Sequence, residues 1–112
     1  MKKIILALMA VTTLSGVSGS ASALVIRGTR SCGNWVELEK SNGQADAGAS
    51  RSWLVGYLSG VVAGTGKDFL KDTDNESIYL WMTNYCKKNP LNNIAVGSED
   101  LYFEMLKKKG IQ

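Results

Sequence analysis

The beginning of this chain limits how much of it can fold. Residues 1–3 (Met-Lys-Lys) are a short basic start, residues 4–14 form an uncharged apolar run, and the small residues after it end in an A-x-A pattern at 21–23. This order is typical of a secretory signal peptide that is cleaved after export. We therefore predict a signal peptide at 1–23 and one folded domain at 24–112. Removing 23 of the 112 residues leaves 89, enough for one small core.

The predicted mature domain is nearly neutral and contains no histidine. The whole chain has 13 Lys and Arg against 10 Asp and Glu, and the loss of Lys2 and Lys3 lowers its net charge from +3 to +1. Such a domain has no electrostatic attraction to nucleic acid or to an anionic membrane. Without histidine, Ser-His-Asp and Cys-His sites are excluded, and the commonest neutral metal ligand is missing. We predict a protein that is not an enzyme and has no cofactor, metal or catalytic residue.

Two cysteines, Cys32 and Cys86, lie in the predicted mature domain. Export brings them into an oxidising compartment, so we predict a disulfide between them, with two free thiols as the alternative. The bridge would close a loop of about 55 residues, for which chain entropy gives a stabilisation of about 4 kcal/mol. The core of so small a domain supplies only about 3–5 kcal/mol, so the disulfide matters as much as the core.

Apolar residues recur at helical spacing in four places, whereas no stretch keeps the alternation of a strand. This pattern predicts an all-α fold: a small four-helix domain closed by one disulfide and preceded by the signal peptide. A short extended segment at 24–30 leads into the first helix, which has Ser31 as N-cap and runs to about Lys40. Residues 41–50 are predicted as a mobile connection because they contain Asn42-Gly43 and show no periodicity.

The second helix is predicted over about residues 50–64, with a broad apolar face. Six residues form this face: Trp53, Leu54, Tyr57, Leu58, Val61 and Val62. Its four aliphatic members (Leu54, Leu58, Val61 and Val62) are the candidate apolar binding surface. On a neighbouring face, Gly56, Gly60 and Gly64 recur at every fourth position, which predicts either close approach of another backbone or a helix that loosens easily. The segment is too short to span a membrane.

The third helix is predicted to begin after Thr73 or Asp74, with Glu76 completing a capping box with Thr73. The apolar residues that follow place Cys86 on the buried stripe of this helix. Pro90 cannot continue the helix, which therefore ends just before it.

The fourth helix is predicted to begin near Asn92 or Asn93 and to end at Gly110. The three lysines at 107–109 lie in its last turn, where positive charge offsets the helix dipole. We interpret them as a solvated helix end and not as a binding patch for an anionic partner.

An acidic turn at residues 68–76 is the only pattern that suggests site chemistry. Its Asp72-x-Asp74-x-Glu76 string begins like a calcium loop, but Ser77 and Thr83 stand where glycine and a bidentate glutamate belong. Paired carboxylates of a glycosidase are a second alternative. Helix capping explains the carboxylates without chemistry, and cation binding at the turn stays open.

Three patterns together resemble the HdeA/HdeB family of small periplasmic helical proteins. They are Ser31-Cys32-x-x-Trp35, Trp53-x-x-Gly56-Tyr57-x-x-Gly60 and Tyr85-Cys86-Lys87-Lys88-Asn89-Pro90-x-x-Asn93. The likeness spans nearly the whole mature domain and is closest to HdeB around the second cysteine. It implies a helical bundle with one disulfide between Cys32 and Cys86. It also implies a folded homodimer, which acid converts into a chaperone that binds unfolded client proteins of the periplasm.

The chain is also similar to the Tai-type immunity proteins of type VI secretion, which share a Gly-Tyr-x-x-Gly helix followed by a cysteine and Asn-Pro or His-Pro. It lacks the further cysteines often found there, notably one near the C-terminus. This resemblance implies a protein that neutralises a cell-wall-degrading toxin by binding it. Two hypotheses follow: a periplasmic stress chaperone for protein clients, and, as the alternative, an immunity or inhibitor protein for one specific partner.

Overall fold

A computed structural model describes residues 25–41 and 44–112 of the chain. The described residues contain four helices and no strand, as predicted for an all-α domain. The helices are α1 (Cys32–Lys40), α2 (Gln44–Thr65), α3 (Asn75–Lys88) and α4 (Ile94–Lys109). The predicted signal peptide at 1–23 lies outside the described residues, and so does Asn42-Gly43.

The segment before α1, residues 25–30, is neither helix nor strand, bends at Gly28 and is held against the start of α4 by backbone hydrogen bonds. The amide of Ile94 donates to the carbonyl of Arg30 at 3.0 Å, and the amide of Cys32 donates to the carbonyl of Asn92 at 2.8 Å. Both helices then begin with the predicted caps. The Ser31 hydroxyl accepts from an amide of α1, and the Asn93 side chain accepts from two amides of α4. The N-termini of α1 and α4 are therefore fixed side by side.

Helix α2 is longer than the sequence analysis predicts, because it begins at Gln44 and not near Ser50. The prediction of a connection through residues 44–49 is wrong. Three of these six residues are alanine, which has the highest intrinsic helix propensity, and Asp46 lies in the first turn, where a negative charge favours the helix dipole. These preferences outweigh the single Gly48.

The core lies between the four helices and is built from their apolar faces. Its completely buried large side chains include Trp35 of α1, Leu54 and Leu58 of α2, and Met82 of α3. The indole of Trp35 also donates a hydrogen bond to the hydroxyl of Thr83 at 3.0 Å. Because this bond satisfies the only polar atom of the ring, Trp35 is buried without leaving an unpaired hydrogen-bond donor in the core.

The predicted disulfide is confirmed. Cys32 and Cys86 are bonded, with their Cα atoms 4.7 Å apart and 54 positions apart in sequence. Both side chains are buried, at 0% and 1% exposure. The bond joins the first residue of α1 to the last turn of α3.

Helix α3 is capped by Asp74, one of the two predicted alternatives, but the predicted capping box is wrong. With Asp74 as the cap, the third position of the helix is Ser77 and not Glu76, so Ser77 donates to the cap. Thr73 instead accepts a hydrogen bond from the ammonium of Lys109 at 3.1 Å. This contact ties the end of α4 to the turn before α3.

The predicted close packing of the glycine face of α2 is also wrong. A Cβ atom added at Gly56, Gly60 or Gly64 meets nothing within 4 Å. Gly56 and Gly60 lie two positions beyond the buried Leu54 and Leu58, which is about half a helical turn away, and all three glycines are exposed, so their face points outward. Among the helical glycines of the described residues, the close-packed one is Gly97 of α4, where an added Cβ would lie 2.6 Å from the sulfur of Met82.

Within the described part of the chain, the helices lack the combination of length and apolar character that a bilayer span requires.

Alanine substitution distinguishes the two kinds of glycine. Gly60→Ala is expected to raise the free energy of unfolding by about 0.5–1 kcal/mol, because it removes backbone freedom at an uncrowded helical position. Gly97→Ala is expected to lower it by about 1–3 kcal/mol through overpacking against Met82. Urea unfolding measures both changes. Destabilisation by Gly60→Ala would contradict the conclusion that the glycine face of α2 is uncrowded.

Removal of the disulfide is expected to cost about 4 kcal/mol of unfolding free energy, because it frees a long loop in the unfolded chain. The measurement is urea unfolding with and without dithiothreitol. The Cys32→Ser/Cys86→Ser double variant is the control, since it should match the reduced protein and should not respond to reductant. An unchanged midpoint on reduction would contradict the dominant role assigned to this bond.

Candidate functional site

The acidic turn does not gather its carboxylates into a site. Asp74 accepts a hydrogen bond from the amide of Ser77 at 2.7 Å and one from the Ser77 hydroxyl at 3.0 Å. These bonds favour the charged form and hold the pKa of the Asp74 carboxyl below its ordinary value. Among the residues that the structure describes, no three His, Cys, Asp or Glu side chains are grouped to hold a metal ion. The contacts of Asp74 are those of a helix cap.

Arg51 of α2 connects to the two neighbouring helices. Its guanidinium donates to both carboxylate oxygens of Glu39 on α1, at 2.9 and 2.7 Å. It also lies 3.8 Å from the carboxylate of Glu76 and 4.6 Å above the ring of Tyr79, both on α3. The hydrogen bonds with Glu39 raise the pKa of Arg51 above its ordinary value. Arg51 is therefore charged throughout the accessible pH range. Its contacts link α2 to α1 and α3.

The family-like pattern around the second cysteine has structural contacts. The side-chain amide of Asn89 donates to the carbonyl of Tyr85 at 3.0 Å, and Asn92 donates to the Tyr85 hydroxyl oxygen at 2.8 Å. Pro90 is exposed in the turn between α3 and α4. These residues shape the chain reversal that leads into α4, and their contacts indicate no chemistry.

The candidate apolar binding surface needs a correction for the folded protein. Leu54 and Leu58 are completely buried in the core, so a partner cannot reach them. Val61 and Val62 pack against the same core and are partly exposed. The apolar face of α2 identified from the sequence is thus mainly the inner face of the helix.

An open groove lies between α2, α4 and the segment before α1, and we call it the α2–α4 groove. It consists of two adjoining cavities of about 530 and 180 Å³ that share Tyr57 and Glu99. Ile26, Thr29 and Val96 are among the residues lining the larger cavity, and Val61, Tyr102 and Phe103 are among those lining the smaller. Most of these side chains are apolar or aromatic, which is typical of a binding surface.

Exposed apolar side chains line the α4 side of this groove. Phe103 is 62% exposed and Val96 is 39% exposed. The ring of Phe103 lies 5.1 Å from that of Tyr102, whose ring in turn contacts the completely buried Phe69 edge-on at 5.0 Å. The exposed aromatic ring is therefore supported by rings that reach into the core.

Tyr57 forms the opposite wall, and its surroundings fix its position. Its ring stacks on that of Trp53 at 5.1 Å, and the indole of Trp53 donates to the carbonyl of Arg27 at 2.9 Å. Partial burial, with a smaller contribution from the charge of Glu99, raises the pKa of the Tyr57 hydroxyl. Tyr57 is therefore a neutral hydrogen-bonding group at neutral pH.

Tyr57 and Val61 of this groove follow from the apolar pattern of α2, whereas Phe103 and Val96 on its α4 side do not follow from the pattern of α4. Phe103 and Val96 lie off the buried stripe of α4, so helical periodicity passes over them. The available signal is a large aromatic residue on a charged side of the helix, with Glu99, Asp100 and Lys107 one helical turn away. A group of adjoining exposed apolar side chains, unlike a single one, is typical of an interaction surface.

Comparison of this chain with protein-family models, with curated proteins and with solved structures finds no match. The resemblances noted from the sequence patterns therefore stay predictions.

The cap at Asp74 predicts a defined acid response. Its folded-state pKa lies below the unfolded value of about 3.8, so its stabilisation is present above that value and is lost as the pH falls through the folded pKa. Asp74→Asn keeps a good N-cap that cannot titrate. We expect this variant to lose less stability than the wild type between about pH 4 and pH 2.

Urea unfolding at pH 7, 4 and 2 measures this difference. Asp68→Asn is the matched control, because it removes an exposed carboxylate of the same turn that caps no helix. Equal acid dependence of Asp74→Asn and the wild type would contradict the role of this cap.

Proposed function

We propose that this protein is exported to the periplasm and acts, without catalysis, by binding another protein through the α2–α4 groove. The observation that carries the proposal is the 62% exposed ring of Phe103 in an aromatic groove. Monomeric soluble proteins rarely expose large apolar patches without use, and aromatic residues are enriched at the energetic centres of interfaces. The signal-like N-terminus and the disulfide support export to an oxidising compartment.

A specific binder, such as an immunity or inhibitor protein, is the form best supported by the groove. Tyr102 and Phe103 are backed by the buried Phe69, and Tyr57 is stacked on Trp53. Side chains already held in place lose little conformational freedom on binding, so more of the contact energy is available for affinity. The groove is formed in the folded state and needs no opening of the domain.

An acid-activated chaperone of the HdeA/HdeB kind is the second candidate, and a separate observation favours it. The apolar face of α2 with Leu54 and Leu58 is hidden in the core. The disulfide joins α1 to α3, whereas α2 lies within the loop that it closes and carries neither cysteine. Protonation of carboxylates, including the Asp74 cap, leaves an excess of positive charge that favours opening. Separation of α2 would then present these leucines to unfolded clients.

Alanine variants of single exposed residues, tested for partner binding at pH 7 and pH 3, distinguish the two candidate functions. Phe103→Ala should lower retention of a periplasmic partner at pH 7 by about tenfold or more, as expected for a central aromatic contact. Leu80→Ala is the matched control, because Leu80 has the same exposure of 62% but lies on α3, beside Arg51. Pull-down from periplasmic extract, followed by calorimetry with the captured protein, gives the affinities.

Loss of the partner with Phe103→Ala but not with Leu80→Ala supports the specific binder. Equal retention by both variants at pH 7 contradicts binding through the α2–α4 groove. Retention of denaturing enzymes at pH 3 alone, regardless of Phe103, supports the chaperone. Thermal unfolding of both variants excludes a loss of binding caused by misfolding.

A further inference from the structure

The α2–α4 groove has one charged side chain at its centre. Glu99 of α4 lies where the two cavities meet and lines both of them. Its carboxylate is exposed, and it takes part in no ion pair within 4 Å among the described residues. A partner that covers this groove must therefore cover or match a negative charge.

The walls around Glu99 supply no positive charge. The described residues lining the two cavities include no Lys or Arg. The two residues that α2 contributes, Tyr57 and Val61, lie in a stretch of sequence, residues 52–66, without any charged residue. The cavity beside Arg51 differs in charge from the groove. Lys40 and Lys87 line that cavity, and Arg51 itself is paired with Glu39.

The aromatic rings next to Glu99 add to this negative character. Tyr57, Tyr102 and Phe103 surround the smaller cavity, and the face of an aromatic ring attracts cations. Tyr57 and Glu99 line both cavities, and the charge of Glu99 contributes, after partial burial, to the raised pKa of the Tyr57 hydroxyl. An anionic surface, such as nucleic acid or an acidic membrane, is disfavoured here.

The size of the smaller cavity limits what can enter it. Its volume of about 180 Å³ lies below the range of roughly 300–1,000 Å³ that is typical of small-molecule sites. One apolar side chain of a partner suits such a cavity better than a whole ligand does.

We propose that the α2–α4 groove docks a segment of a partner protein in which a Lys or Arg side chain lies beside a large apolar side chain. The cation sits against Glu99, and the apolar group fills the cavity between Val61, Tyr102 and Phe103. This inference rests on the proposed function and adds the chemistry of the partner. Charge complementarity of this kind fixes the register of the segment and raises the rate of association.

Three capped pentapeptides test the proposal: Gly-Leu-Arg-Phe-Gly and its counterparts with Glu or Gln at the centre. Each is titrated into the ¹⁵N-labelled full protein at low salt and followed by amide chemical shifts. The Arg peptide should shift the amides of Val61, Glu99 and Phe103 and should bind about tenfold more tightly than the Glu peptide. The preference should shrink at high salt, because Glu99 is solvent-exposed.

Charge variants assign the preference to Glu99. Glu99→Gln should remove it, and Glu99→Lys should reverse it in favour of the Glu peptide. Glu37→Lys makes the same charge change at an exposed position on α1, outside both cavities, and should leave the preference intact.

Equal binding of the three peptides, shifts confined to the cavity beside Arg51, or an equal effect of Glu37→Lys would each overturn the proposal. If Phe103→Ala still abolishes retention of the natural partner in that case, the proposed function stands and only the chemistry of the partner is wrong. If Phe103→Ala has no effect on retention either, both fail.

Discussion

The covalent bond between Cys32 and Cys86 sets the arrangement on which the other contacts depend. It joins the first residue of α1 to the last turn of α3, deep in the core. At the same place the amide of Cys32 donates to the carbonyl of Asn92, which holds the start of α4. Three helices thus meet around one bond. Helix α2 packs against this frame through side chains and through the ion pair of Arg51 with Glu39.

Both functional hypotheses depend on α2, but they use different parts of its apolar face. In the folded protein one edge of this face forms a wall of the groove, where Tyr57 lies across from Glu99 and Phe103 of α4. The centre of the face carries Leu54 and Leu58, which reach another molecule only after α2 separates from the frame. A specific binder needs the folded domain with its groove, and an acid-activated chaperone needs a domain from which α2 has separated. The stability of α2 against separation therefore decides which surface is presented at a given pH.

Local signals in the sequence predict much of the fold and little of the site. The caps at Ser31 and Asn93 and the buried cysteines follow from short-range patterns and are confirmed. Helix α2 begins earlier than predicted because the helix propensity of three alanines in its first two turns outweighs the cost of Gly48. The three glycines of α2 do share one face of the helix, but their spacing does not reveal whether that face turns inward. Phe103 becomes a site residue only because Tyr57, distant in sequence, lies across from it.

The outward glycines of α2 have a thermodynamic consequence for any partner. Each glycine costs about 1 kcal/mol of intrinsic helix stability relative to alanine, so Gly56, Gly60 and Gly64 leave the second half of α2 dependent on its tertiary contacts. A molecule that binds only the folded domain raises its stability by mass action. A partner that occupied the groove would therefore stabilise the α2 helix, and its binding would itself keep the inner leucines hidden.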